Sequence, residues 1–197
     1  MAGVRSEFRL VAGLGNVGAR YAGTRHNAGL WYADGVVERL HGAFREDRKA
    51  HGALARVTAG GRDIRVLKPS TLMNRSGLAV AALVNFHKIP PASVLVAHDD
   101  LDLPPGTVRI KHGGGHGGHN GLRDIARQLG TPDFWRLRIG VGHPGDREGV
   151  IDYVLTKPSP ADREAIDAAI ERALDQTDRL IGEGDIEGAM HALHTRA

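Results

Sequence analysis

The chain has 197 residues, of which 41% are hydrophobic and 25% charged, with a formal net charge of +3 and no cysteine. This length fits one well-buried α/β domain, and the composition excludes a disordered chain. The absence of cysteine excludes disulfides, thiolate metal sites and a cysteine nucleophile.

The first half of the chain combines strand and helix patterns. The predicted elements are a tail at 1–7, a strand at 8–12 that runs into Gly13, a helix at 28–40, and a hairpin of strands 53–58 and 64–67 around Gly60 and Gly61. The helix follows from apolar residues at helical spacing, and the hairpin from two runs of β character around a glycine pair.

The second half continues the alternation. The predicted elements are a helix at 76–86, strands at 93–97 and 108–111, a helix at 120–129, a strand at 135–141 and a long amphipathic helix at 160–181. The run at 93–97 is nearly all apolar, which is typical of a strand buried on both faces, and His98, Asp99 and Asp100 follow at its C-terminal end. We therefore predict a single α/β domain over 1–197, with a twisted, mixed, mainly parallel sheet flanked by helices.

Residues 112–121 form the most unusual segment, because six of the ten are glycine and three are histidine. Glycine loses more backbone entropy on folding than any other residue, so such a run indicates special dihedral angles or close approach to a ligand. A flexible linker is an alternative interpretation. A metal site on His112, His116 and His119 is another, although structural zinc sites usually include thiolates.

Two other enzyme classes match only fragments of the sequence. Residues 13–18 match the dinucleotide-binding pattern G-x-G-x-x-G, but no helix opens within the motif and no acidic residue ends the next strand. A serine hydrolase would need a G-x-S-x-G elbow, which the sequence lacks, and Ser70 and Ser76 lie near a helix start, where serines are usually caps.

Polar residues scattered through the chain share one kind of position, at a strand end or a helix start. They are Asn16, His26, Met73-Asn74, Asp99 and His119-Asn120. Open α/β sheets place their active sites at such positions. The combination suggests a histidine base with an orienting carboxylate, and amides that hold a carbonyl group.

Charge is unevenly distributed along the chain. Residues 1–106 carry 14 basic and 9 acidic side chains, residues 107–147 carry 7 and 3, and residues 148–197 carry 5 and 11. A basic face of this kind is compatible with a polyanionic partner, and also with ordinary solvated helices. A non-catalytic RNA-binding module therefore stays an alternative, although the aromatic fraction of 5% argues against recognition by base stacking.

Five motifs occur in one order from about Leu10 to the end of the chain. They are V-A-G-L-G-N-V-G-x-x-Y-x-x-T-R-H-N-A-G, K-P-x-T-x-M-N-x-S-G, H-D-D-L-D-L-P-x-G, K-x-G-G-G-H-G-G-H-N-G-L and R-L-R-I-G-x-G-H-P. In these motifs the chain resembles the bacterial-type peptidyl-tRNA hydrolases. The resemblance implies hydrolysis of the ester that joins a peptide to the 3′-terminal ribose of tRNA, and hence a role in translation and ribosome rescue.

The resemblance also assigns roles by motif position. His26 would be the general base and Asp99 its orienting carboxylate, while Asn16 would help to distinguish a blocked peptide from a free amino acid. Substrate contacts are expected from Tyr21, Leu72, Met73, Asn74, Gly117, His119 and Asn120, and contacts to tRNA phosphates from Arg109, Lys111 and Arg138. The implied partner is peptidyl-tRNA, with no cofactor, no metal and a monomeric chain.

The chain departs from the family pattern at two positions. Val17 replaces the usual proline, which removes a fixed φ beside Asn16, and Leu72 replaces the usual Phe or Tyr before Met-Asn. Leucine offers apolar contact where an aromatic ring would stack on a base. The N-terminus shows no apolar signal segment and the chain no membrane-length apolar run, so a cytoplasmic location without membrane contact is the expectation.

Overall fold

The structure is a computed structural model that describes residues 5–195, and its strands form one seven-stranded sheet. The strands are β1 (Leu10–Gly13), β2 (Arg45–Asp47), β3 (Gly52–Ala59), β4 (Arg62–Pro69), β5 (Val94–Asp100), β6 (Val108–His112) and β7 (Trp135–Gly140). Their order across the sheet is β2-β3-β4-β1-β5-β7-β6. The four central strands are parallel, and β2, β3 and β6 add antiparallel edges, which confirms the predicted mixed sheet.

Six α-helices are described along residues 5–195. They are α1 (Ala28–Arg39), α2 (Ser76–Phe86), α3 (Asn120–Leu129), α4 (Val150–Val154), α5 (Pro160–Leu174) and α6 (Ile186–His194). Two 3-10 turns, Arg25–Asn27 and Met73–Arg75, lead into α1 and α2. None of the described helices is long and apolar enough to cross a membrane.

The sheet is covered on both faces by helices. Along β5, Val94 and Val96 pack with α2 and α3, whereas Leu95 and Ala97 face α1 and α5. This alternation explains why β5 reads as an almost continuous apolar run, since neither of its faces meets water.

The prediction of one long C-terminal helix over 160–181 is wrong in its length. Instead of continuing over 160–181, α5 ends at Leu174, and Asp178–Gly182 forms a π-helical turn. The wider turn changes the rotation per residue, so that Leu180 and Ile181 are both fully buried in the core. Sequence periodicity does not detect such a change of register.

Three short elements were not predicted, namely β2, α4 and α6. The predicted tail at 1–7 lies partly outside the described residues, which begin at Arg5. Within the described part, the main-chain N–H of Ser6 donates to the carbonyl of Gly184 at 3.2 Å, and its hydroxyl donates to the carbonyl of Ala92 at 2.6 Å.

Candidate active site

A cleft with a volume of about 1040 Å³ lies at the edge of the sheet where β1 and β5 end. It brings together most of the site residues predicted from sequence: Asn16, His26, Leu72, Met73, Asn74, Asp99, Lys111, Gly117, His119, Asn120 and Arg138. Tyr21 and Arg109 are not among the residues that line it. Because parallel strands end at the same edge of a sheet, residues far apart in sequence meet in this cleft.

His26 lies in the 3-10 turn directly before α1, and its neighbour Asn27 holds that turn against the loop after β1. The Asn27 Oδ1 accepts from the main-chain N–H of Asn16 at 2.8 Å, and its Nδ2 donates to the Asn16 carbonyl at 2.9 Å. This reciprocal pairing fixes the distance between the β1 loop and the imidazole.

Asp99 lies near the end of β5, with only 2% of its side chain exposed. It accepts hydrogen bonds from two histidines. His26 Nδ1 lies 3.0 Å from Oδ1 and 2.9 Å from Oδ2, and His119 Nε2 lies 2.9 Å from Oδ1. A carboxylate this deeply buried is stable when charged donors or N–H groups surround it.

The contacts of each histidine decide which ring nitrogen is available for chemistry. His119 Nδ1 accepts from the main-chain N–H of Leu122 at 3.3 Å, so its proton is on Nε2, which donates to Asp99. Both nitrogens of His119 are therefore occupied. His26 uses only Nδ1 for Asp99, and within residues 5–195 its Nε2 makes no hydrogen bond. Of the two histidines that contact Asp99 through a side chain, His26 is thus the one that can accept a proton in the cleft.

His98 is a third histidine beside the pair, but it is unsuited to proton transfer. Its Nδ1 donates to the main-chain carbonyl of Asp99 at 2.7 Å, and its ring packs edge-on against His119 at 5.0 Å between centroids. Burial, with the charge of His119 as a smaller cause, lowers the pKa of His98 to about 4. It therefore stays neutral near pH 7 and packs behind His119.

The pKa values of the pair move in opposite directions. Burial by itself lowers the pKa of His26, but the charge and hydrogen bond of Asp99 outweigh it, so the net pKa is raised above 6.5. Burial by itself raises the pKa of Asp99, but the charges and hydrogen bonds of His26 and His119 more than reverse this effect. The pKa of the Asp99 carboxyl therefore lies well below its usual range. Asp99 therefore keeps its negative charge throughout the range in which His26 titrates.

Asn16 connects the β1 loop to the turn that follows β4. Its Oδ1 accepts from the main-chain N–H of Met73 at 2.8 Å, and because that N–H can only donate, the amide orientation is fixed. The Nδ2 of Asn16 makes no hydrogen bond within the described part of the chain. One side of the amide therefore positions Met73, and the other remains available as a donor.

The glycine-rich loop between β6 and α3 owes its composition to backbone conformation. Gly113, Gly114, Gly117 and Gly118 have φ values of +61°, +90°, +56° and +82°. These left-handed conformations strain residues that carry a Cβ. Arg136 ties the loop to β7 by donating to the carbonyls of Gly115 and Gly114 at 2.5 and 2.7 Å. The prediction of special dihedral angles is confirmed.

The predicted phosphate contacts differ in their surroundings. Lys111 pairs with Arg136 across β6 and β7, and Arg109 pairs with Arg138, so all four start from one face of the sheet. However, Arg109 donates to the carbonyl of His194 at 2.7 Å, at the end of α6. Arg138 forms an ion pair with Asp100 at 2.7 Å. Lys111 and Arg138 line the cleft, and the phosphate role of all three residues stays a prediction.

The alternative sites do not assemble in the described structure. The hydroxyl of Ser70 donates to the His51 carbonyl, that of Ser76 donates to the Met73 carbonyl, and neither serine lines the cleft. His112 packs on Trp135 at 4.7 Å between ring centroids, away from His119.

The first glycine motif also has a packing role. A Cβ at Gly13 would meet the Gly29 carbonyl oxygen at 2.3 Å, so this glycine allows α1 to pack closely on β1. A dinucleotide-binding role is therefore not needed to explain the glycine at position 13.

Sequence reasoning missed several residues that build the site: Arg25, Asn27, His98, Arg136 and the cleft-facing side of α4. Two signals were present. Arg25 and Asn27 flank His26 in the same T-R-H-N motif, and Arg136 alternates with Arg138 along β7. The short α4 left no periodic pattern long enough to read.

The buried Asp99 and the imidazole that it orients at an open cleft form a general-base pair of the kind that a hydrolase uses to activate water. Residues 10–197 match the family described as Peptidyl-tRNA hydrolase. The peptidyl-tRNA hydrolase of Halorhodospira halophila is 57% identical over 194 residues, which cover 98% of this chain and 100% of that protein. That of Leptothrix cholodnii is 52% identical, covering 96% of this chain and 88% of that protein.

A solved structure agrees with the sequence relatives. The crystal structure of peptidyl-tRNA hydrolase from Acinetobacter baumannii superposes with a TM-score of 0.93 at 43% identity, and 98% of each chain is covered. The chain belongs to the peptidyl-tRNA hydrolase family.

Proposed function

We propose that this protein hydrolyses the ester between a peptide and the 3′-terminal ribose of tRNA, with His26 as the general base. The observation that carries the proposal is the arrangement of one imidazole: His26 is held by Asp99 through Nδ1, and among residues 5–195 its Nε2 has no hydrogen-bond partner at the cleft. The relatives that match over nearly the whole chain are named peptidyl-tRNA hydrolases.

The proposed reaction needs no covalent enzyme intermediate. His26 Nε2 takes a proton from water as the oxygen attacks the ester carbonyl carbon, and Asp99 stabilises the imidazolium that forms. The tetrahedral intermediate then expels the ribose oxygen, which receives the proton from His26. An ester has a better leaving group than an amide, so an oriented water, one base and a few donors are sufficient.

The polar rim supplies those donors in this proposal. Asn74 and Asn120 are exposed at the cleft, and amide groups pair with both the N–H and the C=O of a peptide. Asn16, whose Oδ1 is used by Met73, offers its Nδ2 to a carbonyl of the blocked peptide. His119 orients Asp99, and Gly117 permits close approach of the substrate. Tyr21 shapes the turn before His26, since the Tyr21 carbonyl accepts a hydrogen bond from the Thr24 hydroxyl at 2.8 Å.

Phosphate attraction is assigned to Lys111 and Arg138, the two predicted cations that line the cleft. We further propose that the chain acts as a monomer in the cytoplasm, where its substrate is produced.

The substrate class is tested by comparing blocked and free aminoacyl-tRNA. We expect rapid release of the acyl group from N-acetyl-aminoacyl-tRNA, and release at close to the uncatalysed rate from the same tRNA with a free α-amino group. The measurement is deacylation of both species by the purified enzyme, with a buffer control. Binding of both without cleavage of either would instead support a non-catalytic RNA-binding module.

Metal independence is a second expectation. His26, Asp99 and His119 offer ligand atoms that all lie within 4.8 Å of one another. However, His26 Nδ1 and His119 Nε2 each lie within 3.0 Å of an Asp99 oxygen, with their protons facing the carboxylate. A cation would therefore have to displace two hydrogen bonds. We expect kcat/KM to be unchanged after dialysis against a strong chelator of transition metals. Loss of activity that Zn²⁺ or another transition metal restores would contradict a metal-free mechanism.

A further inference from the structure

Exposed apolar side chains are concentrated at the mouth of the cleft. Among the described residues, the exposed large hydrophobic side chains are Val17, Leu72, Phe86, Ile151 and Leu155. Three of them, Leu72, Ile151 and Leu155, line the cleft, with 58%, 68% and 37% exposure. We call Ile151 and Leu155, the two of these residues at α4, the apolar wall. Scattered exposed leucines are ordinary, but a contiguous apolar set beside a reactive group indicates a binding surface.

The two residues of the apolar wall lie on one side of α4. The main-chain N–H of Leu155 donates to the carbonyl of Ile151 at 3.2 Å, and residues at this spacing lie above one another on a helix. Val150 and Val154 of the same helix also line the cleft. The helix therefore presents an aliphatic surface toward the space in front of His26.

Arg25 fixes this helix relative to the catalytic base. Its Nη1 donates to the carbonyls of Tyr153, Thr156 and Lys157 at 3.1, 3.2 and 3.4 Å, and its guanidinium lies 3.9 Å from the centre of the Tyr153 ring. Arg25 immediately precedes His26 in the same 3-10 turn. The apolar wall is therefore held in a fixed position next to the imidazole.

The chemistry of the cleft indicates which part of the substrate meets this wall. Lys111, Arg136, Arg138 and Arg147 line the cleft as cations, which suits the phosphates of the tRNA. A nucleic-acid base would favour a stacking platform such as an aromatic ring or a guanidinium, and the two aliphatic side chains of the apolar wall offer none. The aliphatic surface therefore complements the part of the substrate that has neither phosphate nor base, which is the peptide.

We propose that the apolar wall binds an apolar side chain of the peptide and makes the enzyme selective for such substrates. The inference rests on the proposed function, because it assigns a preference within the same ester hydrolysis. Burial of a few methylene groups in a hydrophobic site discriminates between substrates by about tenfold or more. We expect a preference of about tenfold for leucine over serine at the position that faces the wall.

The test uses a single tRNA acylated with different amino acids, so that only the side chain changes. One series is N-acetyl-leucyl- and N-acetyl-seryl-tRNA, and a second is N-acetyl-dipeptidyl-tRNA in which only the second residue from the ester is leucine or serine. The measured quantity is kcat/KM for each ester divided by its uncatalysed hydrolysis rate. We expect the leucine-to-serine ratio to be about ten in at least one series.

The variants Ile151→Ser and Leu155→Ser should bring that ratio close to one by slowing the leucine substrate. Ile151 is mostly exposed, so its replacement leaves the fold intact. Phe86→Ser is the matched control, because Phe86 is 78% exposed and lies outside the cleft. It should leave the ratio unchanged.

Two outcomes would overturn the inference: a wild-type ratio near one in both series, or wall variants that slow both substrates equally, which would assign the wall to the tRNA end. Failure to cleave any blocked substrate would instead contradict the proposed function itself.

Discussion

Replacement of His26 with alanine should lower kcat for N-blocked aminoacyl-tRNA by about 10²- to 10⁴-fold. Neither of the two histidines packed beside Asp99 can replace it as the base. Both nitrogens of His119 are occupied, and His98 Nε2 is buried without a partner among the described residues. Single-turnover release of the acyl group at saturating enzyme measures the chemical step directly.

Binding of tRNA should change little in the same variant, because the proposed phosphate contacts are Lys111 and Arg138. Equilibrium binding of uncharged tRNA is the corresponding measurement. His191→Ala, on the exposed side of α6, is the matched control and should retain wild-type rates. If His26→Ala kept most of its activity, the proposed mechanism would be wrong.

Much of the framework follows from local sequence patterns. The helix at 76–86 and the hairpin around Gly60 and Gly61 are found as predicted, because their apolar periodicity and turn residues act over a few positions. The position of Asp99 is also predictable, since it lies two residues after a strand run that is apolar on both faces. The pairing of Asp99 with His26 was predicted from the family resemblance and not from a local pattern, because 73 positions separate the two residues.

Other features depend on contacts that no local pattern contains. The second histidine on Asp99 was not predicted, because the glycine-rich loop must first fold back from β6 before His119 reaches β5. Likewise, Arg109 alternates correctly with Lys111, yet its guanidinium is bound by the carboxyl end of α6. Such outcomes are determined by packing between distant elements, to which composition and periodicity are insensitive.

Replacement of Asp99 with asparagine should slow ester hydrolysis severely, by up to about 10⁴-fold, the size of effect seen when an orienting aspartate becomes an amide in a comparable histidine site. Two N–H groups converge on Asp99, from His26 and His119, and an amide offers one acceptor oxygen in place of two. The His119 proton is fixed on Nε2 by its contact with Leu122, so the oxygen of the introduced amide pairs with His119. The amide NH₂ then faces His26 Nδ1, which moves the His26 proton to Nε2 and removes the base from the cleft.

The pH dependence separates this electrostatic role from a loss of folding. In the wild-type protein the Asp99 charge raises the pKa of His26 above 6.5, so kcat/KM should rise with pH through a midpoint above that value as His26 loses its proton. Without the carboxylate, burial alone acts on His26 and lowers its pKa, so the residual activity of Asp99→Asn should have its midpoint at a lower pH. Asp63→Asn, which alters an exposed ion pair with Arg56, is the control and should leave both rate and midpoint unchanged. A wild-type rate in Asp99→Asn, or a midpoint that does not move, would remove Asp99 from the proposed role, because tautomer control and charge stabilisation of His26 both require its carboxylate.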